Sequence, residues 1–273
     1  TFKGLSVSAS SENDGAFGVY ADSFSEITVN GDLTVNVEGV NTEDWTVAAV
    51  KAEDGGVVTV KGKAELTASG TDARVLEIGS DFGNAGSVSF LGGASLTGNA
   101  AVYAGSTLAM AGENTVSNGE FENAGTITVD GDLTLNGVVF NNKAGGEGEV
   151  TGTIALGSGT TFYNYGHFDG TTWYLGEGSK YLEAYEEGDE EFQNGSMTLP
   201  SGRFVYAGGL FGLVTDENAL RSWTVQADPE ETAEQDAPQL VVEAGNYEWD
   251  FVTVNTEDAN ANAFEVSGGS VAL

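Results

Sequence analysis

The sequence predicts an all-β chain wound as a right-handed, single-stranded parallel β-helix, a solenoid carrying one irregular, loop-rich segment. Three observations predict it. A nine-residue strand–Gly–strand unit recurs along the chain, a Phe-x-Asn ladder recurs beside it, and 273 residues hold 40 Gly but only 3 Pro. The Gly has no G-X-Y period, so a collagen-like structure is excluded.

The unit is plainest in SEITVNGDLTVN at 25–36 and GTITVDGDLTLN at 125–136. Ile27, Val29, Leu33 and Val35 share one parity, and Thr28, Asn30, Asp32 and Thr34 share the other. That alternation is a strand with one face buried. Units of the same build stand at 27–35, 58–66, 88–96, 108–116 and 127–135, and a looser sixth, IALGSGTTF, at 154–162. The first five centre on Gly31, Gly62, Gly92, Gly112 and Gly131, which predicts a corner where φ is free to turn positive. Their starts are 31, 30, 20, 19 and 27 residues apart. Propeller blades need about 40 residues, so the spacing favours a solenoid. Three short strands per coil, with turns absorbing the variable length, give roughly ten coils and a rod of about 50 Å at ~4.8 Å per coil. One coil cannot bury its own apolar face, whereas stacked coils bury a continuous core.

The second ladder pairs Phe121 with Asn123, Phe140 with Asn142 and Phe162 with Asn164, at spacings of 19 and 22. With one coil between them, the rings stack inside and the Asn side chains hydrogen-bond in a turn. A third family of small-then-apolar segments comprises AFGVYA (16–21), AAVKAE (48–53), AAVYAG (100–105) and NAFEVSG (262–268), and VNTED occurs at both 40–44 and 254–258.

Regular coils are expected over 16–176 and again over 239–273, within one domain. Residues 177–238 read as irregular. That segment holds Pro200, Pro229 and Pro238 and two acidic runs, EAYEEGDEE (183–191) and DPEETAEQD (228–236), of the kind that form solvated loops. It also holds the only helix candidates, SKYLEAYEE (179–187) and TDENALRSW (215–223). The first residues lack a basic and an apolar signal region, and FEVSGGSVAL at the end has no polar cap, so the chain reads as a fragment of a larger surface protein.

The net charge is −33, from 42 acidic and 9 basic side chains. Such a field repels phosphate backbones and anionic headgroups, which excludes nucleic acid as a partner. The longest apolar run, FVYAGGLFGLV (204–214), is too short to cross a bilayer, so no direct membrane insertion is expected of it. The chain has no Cys, which is compatible with export.

Gly-centred short strands, Phe-x-Asn ladders, scarce Pro and high acidity resemble the passenger domain of a Gram-negative autotransporter. The resemblance covers about 25–170 well and 239–273 more weakly. It implies export through the outer membrane, display on the bacterial cell surface and an adhesin-like role toward an extracellular glycan or protein, with self-association open.

Residues that would carry chemistry are few. His167 is the only His, and with Asp169 it forms either a base–orienter pair or a locally bonded turn. No G-x-S-x-G elbow is present and no two Asp are adjacent. The chain therefore reads as non-catalytic, with a rigid spacer and a polysaccharide lyase or hydrolase as the alternatives. No cofactor is expected, apart from Ca²⁺ at Asp130 and Asp132, whose outward parity also fits a plain solvated acidic face. Residues 162–192 hold nine of the 27 aromatics. Trp173, Tyr174, Tyr181 and Tyr185 there form either a ligand-recognition patch or the filling of the core.

Overall fold

The computed structural model describes residues 1–11, 15–40, 46–184, 196–199, 203–214, 216–219, 222–226, 240–255 and 264–273. Among them there is no helix. The strands form one 22-stranded sheet, a three-stranded sheet (Ser196–Leu199, Ser222–Gln226, Phe251–Asn255) and a two-stranded one (Asn246–Glu248, Ser270–Ala272). Pairing between named strands is parallel except where Leu210–Leu213 meets Asp216–Ala219. Parallel pairing with the partner 20 to 30 residues away is the arrangement of a solenoid, and the large sheet resolves into three ladders visited in turn.

On the first face the inward column runs Ile27, Val58, Val88, Leu108, Ile127, Gly148, Phe168. These include the opening positions of the five aligned units, which stack as their spacing requires. The sixth differs. Ile154 and Leu156 pair with Leu133 and Leu135, so IALGSGTTF begins on the second strand of its coil and runs over a corner. The sixth unit is GEVTGTIAL at 148–156, hidden from the pattern by Gly148 in an apolar position. Gly148 is required there because the Phe168 ring occupies its side-chain space; a Cβ would lie 2.1 Å from it.

The second face carries a parallel ladder of eleven strands, from Leu5–Ser11 through Leu33–Gly39 to Leu240–Ala244 and Phe264–Val266, with one register shift between Tyr206 and Ala207. Phe264 thus extends this ladder and does not join the third family. The third face stacks Val19, Val50, Leu76, Ala100, Phe121, Phe140, Phe162, Tyr181 and Phe211. AAVKAE and AAVYAG both lie in it, slid by two residues from a letter-for-letter match, which keeps every side chain on its proper face.

Corner glycines serve mainly for close approach. Gly112 and Gly131 take positive φ (75° and 139°), whereas Gly31, Gly62 and Gly92 do not. A Cβ would nonetheless lie 2.1 Å from Lys3 O at Gly31, 2.5 Å from the Gly31 carbonyl carbon at Gly62 and 2.6 Å from the Gly62 carbonyl at Gly92. These three corners rest on the coil before, whereas a Cβ at Gly112 would meet nothing within 4 Å. The Asp that follows the Gly in two of the units acts on the next coil. Asp32 Oδ1 accepts from Lys63 N–H (2.9 Å) and Asp132 Oδ1 from Thr153 N–H (2.8 Å). This satisfies a backbone donor where the ladder breaks at the bend, and it accounts for the repeated Gly-Asp.

The regular coils do not stop at residue 176. Lys180–Glu183 and Arg203–Ala207 continue the third and second faces, with Tyr181 on Phe162 and Phe204 on Trp173. Both helix candidates contain strand instead, at Lys180–Glu183 and Asp216–Ala219. Ladder pairing and burial of Tyr181 outweigh the weak helical propensity in the first of them. The acidic runs, from residue 185 and from 228, and most of both VNTED copies lie outside the described residues.

Candidate functional site

The first coils are longer than the later ones. First-face columns start at 27, 58 and 88, then at 108, 127, 148 and 168, so the coils shorten from about 30 residues to about 20. The extra length falls around the third face, in the connections after Gly39, Ser69 and Ile78. Thr46, Asp72 and the turn at 80–84 wall a cleft of about 700 Å³ over strands Val47–Ala52 and Arg74–Ile78.

Its floor is an ion network. The outward column Tyr20, Lys51, Glu77, Ala101 puts a cation directly against an anion on the next strand. Lys51 Nζ lies 2.8 Å from Glu77 Oε1 and 3.4 Å from Glu53 Oε1. Arg74 Nη1 lies 2.7 Å from Glu77 Oε2 and also donates to the Tyr103 hydroxyl oxygen at 2.7 Å. Tyr20 O–H donates to Glu53 Oε1 at 2.7 Å. Aromatic rings back both cations, Phe17 under Lys51 (5.8 Å) and Tyr103 under Arg74 (5.7 Å). Burial disfavours the Lys51 ammonium, but Glu77 and then Glu53 more than offset it, so Lys51 holds its proton more tightly than usual. Burial likewise raises Tyr103, which remains a phenol whose own O–H is available to the cleft.

The rim is built differently. Gly83 N–H donates to Ser80 C=O (3.1 Å), with Gly83 at φ 81°, and this turn carries Asp81 and Phe82 at its tip. Phe82 is 93% exposed. Ser80, at the start of the turn, also lines the cleft, and its Oγ is buried with no hydrogen-bond partner.

The aromatic stretch is mostly core, which corrects the recognition-patch expectation for two of its four residues. Trp173 and Tyr181 have no exposed surface. Trp173 sits edge-on to Phe162 (5.3 Å) and Tyr181 (4.8 Å), and Tyr181 stacks between Phe162 (5.4 Å) and Phe211 (4.8 Å). Tyr174 is half-buried on the outer side of the second face, and Tyr185 lies outside the described residues. Among the described residues of the stretch, the large exposed ring is Tyr165, beside Tyr163 at 6.4 Å.

Asp130 and Asp132 do point outward and are exposed, but Asp132 Oδ1 serves the corner, and Asp130 Oδ1 accepts from Thr151 Oγ1 at 3.3 Å. No group of three or more His, Cys, Asp or Glu able to hold a metal occurs among the described residues. His167 Nε2 does meet Asp169 Oδ2 at 2.7 Å, with the His167 side chain 73% and the Asp169 side chain 44% exposed.

The Asn ladder forms as its spacing predicts. Asn123 Nδ2 donates to Asn142 Oδ1 (2.8 Å) and Asn142 Nδ2 to Asn164 Oδ1 (2.7 Å), all buried. It ends on Glu183, which accepts from Asn164 Nδ2 and from Tyr181 O–H. Burial raises the Glu183 carboxyl to about 7, against those two bonds, which favour the carboxylate.

Sequence reasoning passed over the cleft. Its signal was the placing of two of only nine cations, Lys51 and Arg74, close to Glu53 and Glu77 in the long coils. The chain matches no family model, and no curated protein or solved structure shows significant similarity to it.

Proposed function

We propose that the chain is a right-handed, single-stranded parallel β-helix serving as a non-catalytic, surface-displayed adhesin-like module, in the manner of an autotransporter passenger. Its partner is an extracellular glycan or protein, engaged through the third-face cleft. Right-handed winding follows from the rule for parallel crossovers. The observation that carries the reading is the placing of the extra residues: the long coils use them to wall a polar cleft with an exposed Phe82 at its rim. Exposed aromatics beside desolvated charges are what recognition surfaces use. Glu53 and Glu77 are held by Lys51, Arg74 and Tyr20, an arrangement suited to holding a ligand more than to moving protons.

The test is binding of the wild-type chain and Phe82→Ala to arrayed glycans and extracellular-matrix proteins. A selective hit that Phe82→Ala loses, with unchanged thermal unfolding, is the expected result. No hit on any array overturns the proposal and favours a spacer, a reading to which the eleven-strand ladder, about 50 Å long at ~4.8 Å per step, also lends itself.

A further inference from the structure

We infer that the cleft takes an uncharged, hydroxyl-rich ligand, a neutral oligosaccharide, laid on Phe82 and hydrogen-bonded by Ser80, Tyr103 and Arg74. This rests on the binding role proposed above and names its ligand chemistry.

Charge narrows the choice first. Lys51 and Arg74 are matched by Glu53 and Glu77, while Asp72 and Asp81 at the edge add further negative charge. An anionic ligand would meet those carboxylates within a field of net charge −33. A cationic ligand would have to displace Lys51 or Arg74 from Glu77, and stripping a buried ion of its partner is costly. A neutral ligand meets neither obstacle.

Hydrogen bonding narrows it further. The buried Ser80 hydroxyl has no partner, and an unsatisfied buried hydroxyl is disfavoured. Its Oγ can both donate and accept. The Tyr103 hydroxyl accepts from Arg74 and keeps its own proton to donate. Arg74 has further N–H groups beyond the one that contacts Glu77 and Tyr103. Donors and acceptors that alternate over a small area suit ligand hydroxyls, which also do both. Phe82 completes the site: a phenyl ring 93% exposed at a turn tip offers a flat apolar surface to the C–H face of a sugar. The cleft, about 700 Å³ and open to solvent, has the size of a small-ligand site.

The test is calorimetric titration of the whole chain with malto-, cello-, xylo-, manno- and chito-hexaose, and with oligogalacturonate as the anionic arm. The proteins are wild type, Phe82→Ala, Ser80→Ala and, away from the cleft, Tyr165→Ala. At least one neutral hexaose should bind, with affinity unchanged between about 50 and 500 mM NaCl, falling tenfold or more in Phe82→Ala and severalfold in Ser80→Ala. Tyr165→Ala should bind as wild type. Because Ser80 Oγ has no partner, Ser80→Ala should unfold no earlier than wild type, which separates a binding loss from a folding loss. Binding of no neutral hexaose, tighter binding of oligogalacturonate, or a loss in Tyr165→Ala alone overturns the inference. If the hexaoses fail while a matrix protein still binds in a Phe82-dependent way, the saccharide falls and the adhesin reading stands. If Phe82→Ala changes nothing on either panel, both fall.

Discussion

The third face is two structures in one ladder. Its first four positions are Val19, Val50, Leu76 and Ala100, and its next five are Phe121, Phe140, Phe162, Tyr181 and Phe211. The aliphatic half lies mostly in long coils, beneath an outer ion network and the cleft. The aromatic half lies in short coils, beside a buried Asn ladder. Parallel pairing runs through both, with one register shift between Asn99 and Ala100, because a parallel ladder satisfies its hydrogen bonds whatever the side chains are. The fold therefore tolerates either solution, and the difference goes to the surface: minimal coils leave an open flank, while about ten more residues per coil build walls.

The largest expected effect tests the core half of that contrast. Phe140 packs on Phe121 (4.8 Å) and Phe162 (4.5 Å, 8° between planes), so Phe140→Ala should cost about 3–5 kcal/mol in chemical denaturation. Val50→Ala should cost about 1–2 kcal/mol, since fewer methyl groups leave the core. Equal losses at the two sites would erase the distinction between the halves.

Next come the polar supports. Glu77→Ala leaves Lys51 and Arg74 without their shared partner and should cost about 3 kcal/mol. Asn142→Ala orphans the Asn123 amide donor and the Asn164 acceptor and should cost about 2–3 kcal/mol. Raising NaCl to about 1 M should weaken neither half strongly, because both networks are largely buried. A salt-sensitive wild type would mean that the ion network is hydrated.

A pH series separates the halves more finely. Glu183 closes the Asn ladder with a carboxyl raised by burial from 4.5 to about 7. Between these values the folded chain binds more protons than the unfolded one, so stability is greatest at the acid end and falls as pH rises from about 4.5 to 7. The loss is at most about 3 kcal/mol. General repulsion in so acidic a chain has the same sign, so the informative quantity is the difference from Glu183→Gln, whose melting temperature should fall less over that range. Parallel curves for the two proteins would remove Glu183 as the cause.

The smallest effect is expected at the cleft rim. Phe82→Ala should leave stability within about 0.5 kcal/mol of wild type, as surface substitutions usually do, while abolishing ligand capture. A large loss of stability would mean that the turn is part of the core.

Much of this was legible in the residues. Period-two alternation and the 19- and 22-residue recurrence of Phe and Asn placed five units and the ladder in their register, since each rests on one side chain per coil facing the same way. The sixth unit is hidden from the pattern because Gly148 stands at an apolar position that Phe168 fills from the next coil. Trp173 and Tyr181 were readable as surface or core because composition records neither direction nor depth. The first helix candidate gave way because local propensity is weak against a ladder already in place at Thr161–Asn164.

By itself, then, the sequence determined the period, the parity of each strand and the acidity of the surface, because these are local or additive properties of the chain. Only the tertiary structure decided which residues stand above one another. Lys51 and Glu77 are 26 positions apart in the chain and neighbours across a single ladder step. The Gly-Asp corner, the closing Glu183 and the cleft exist only once the coils stack, because each is made by groups from different coils that have no reason to meet before that.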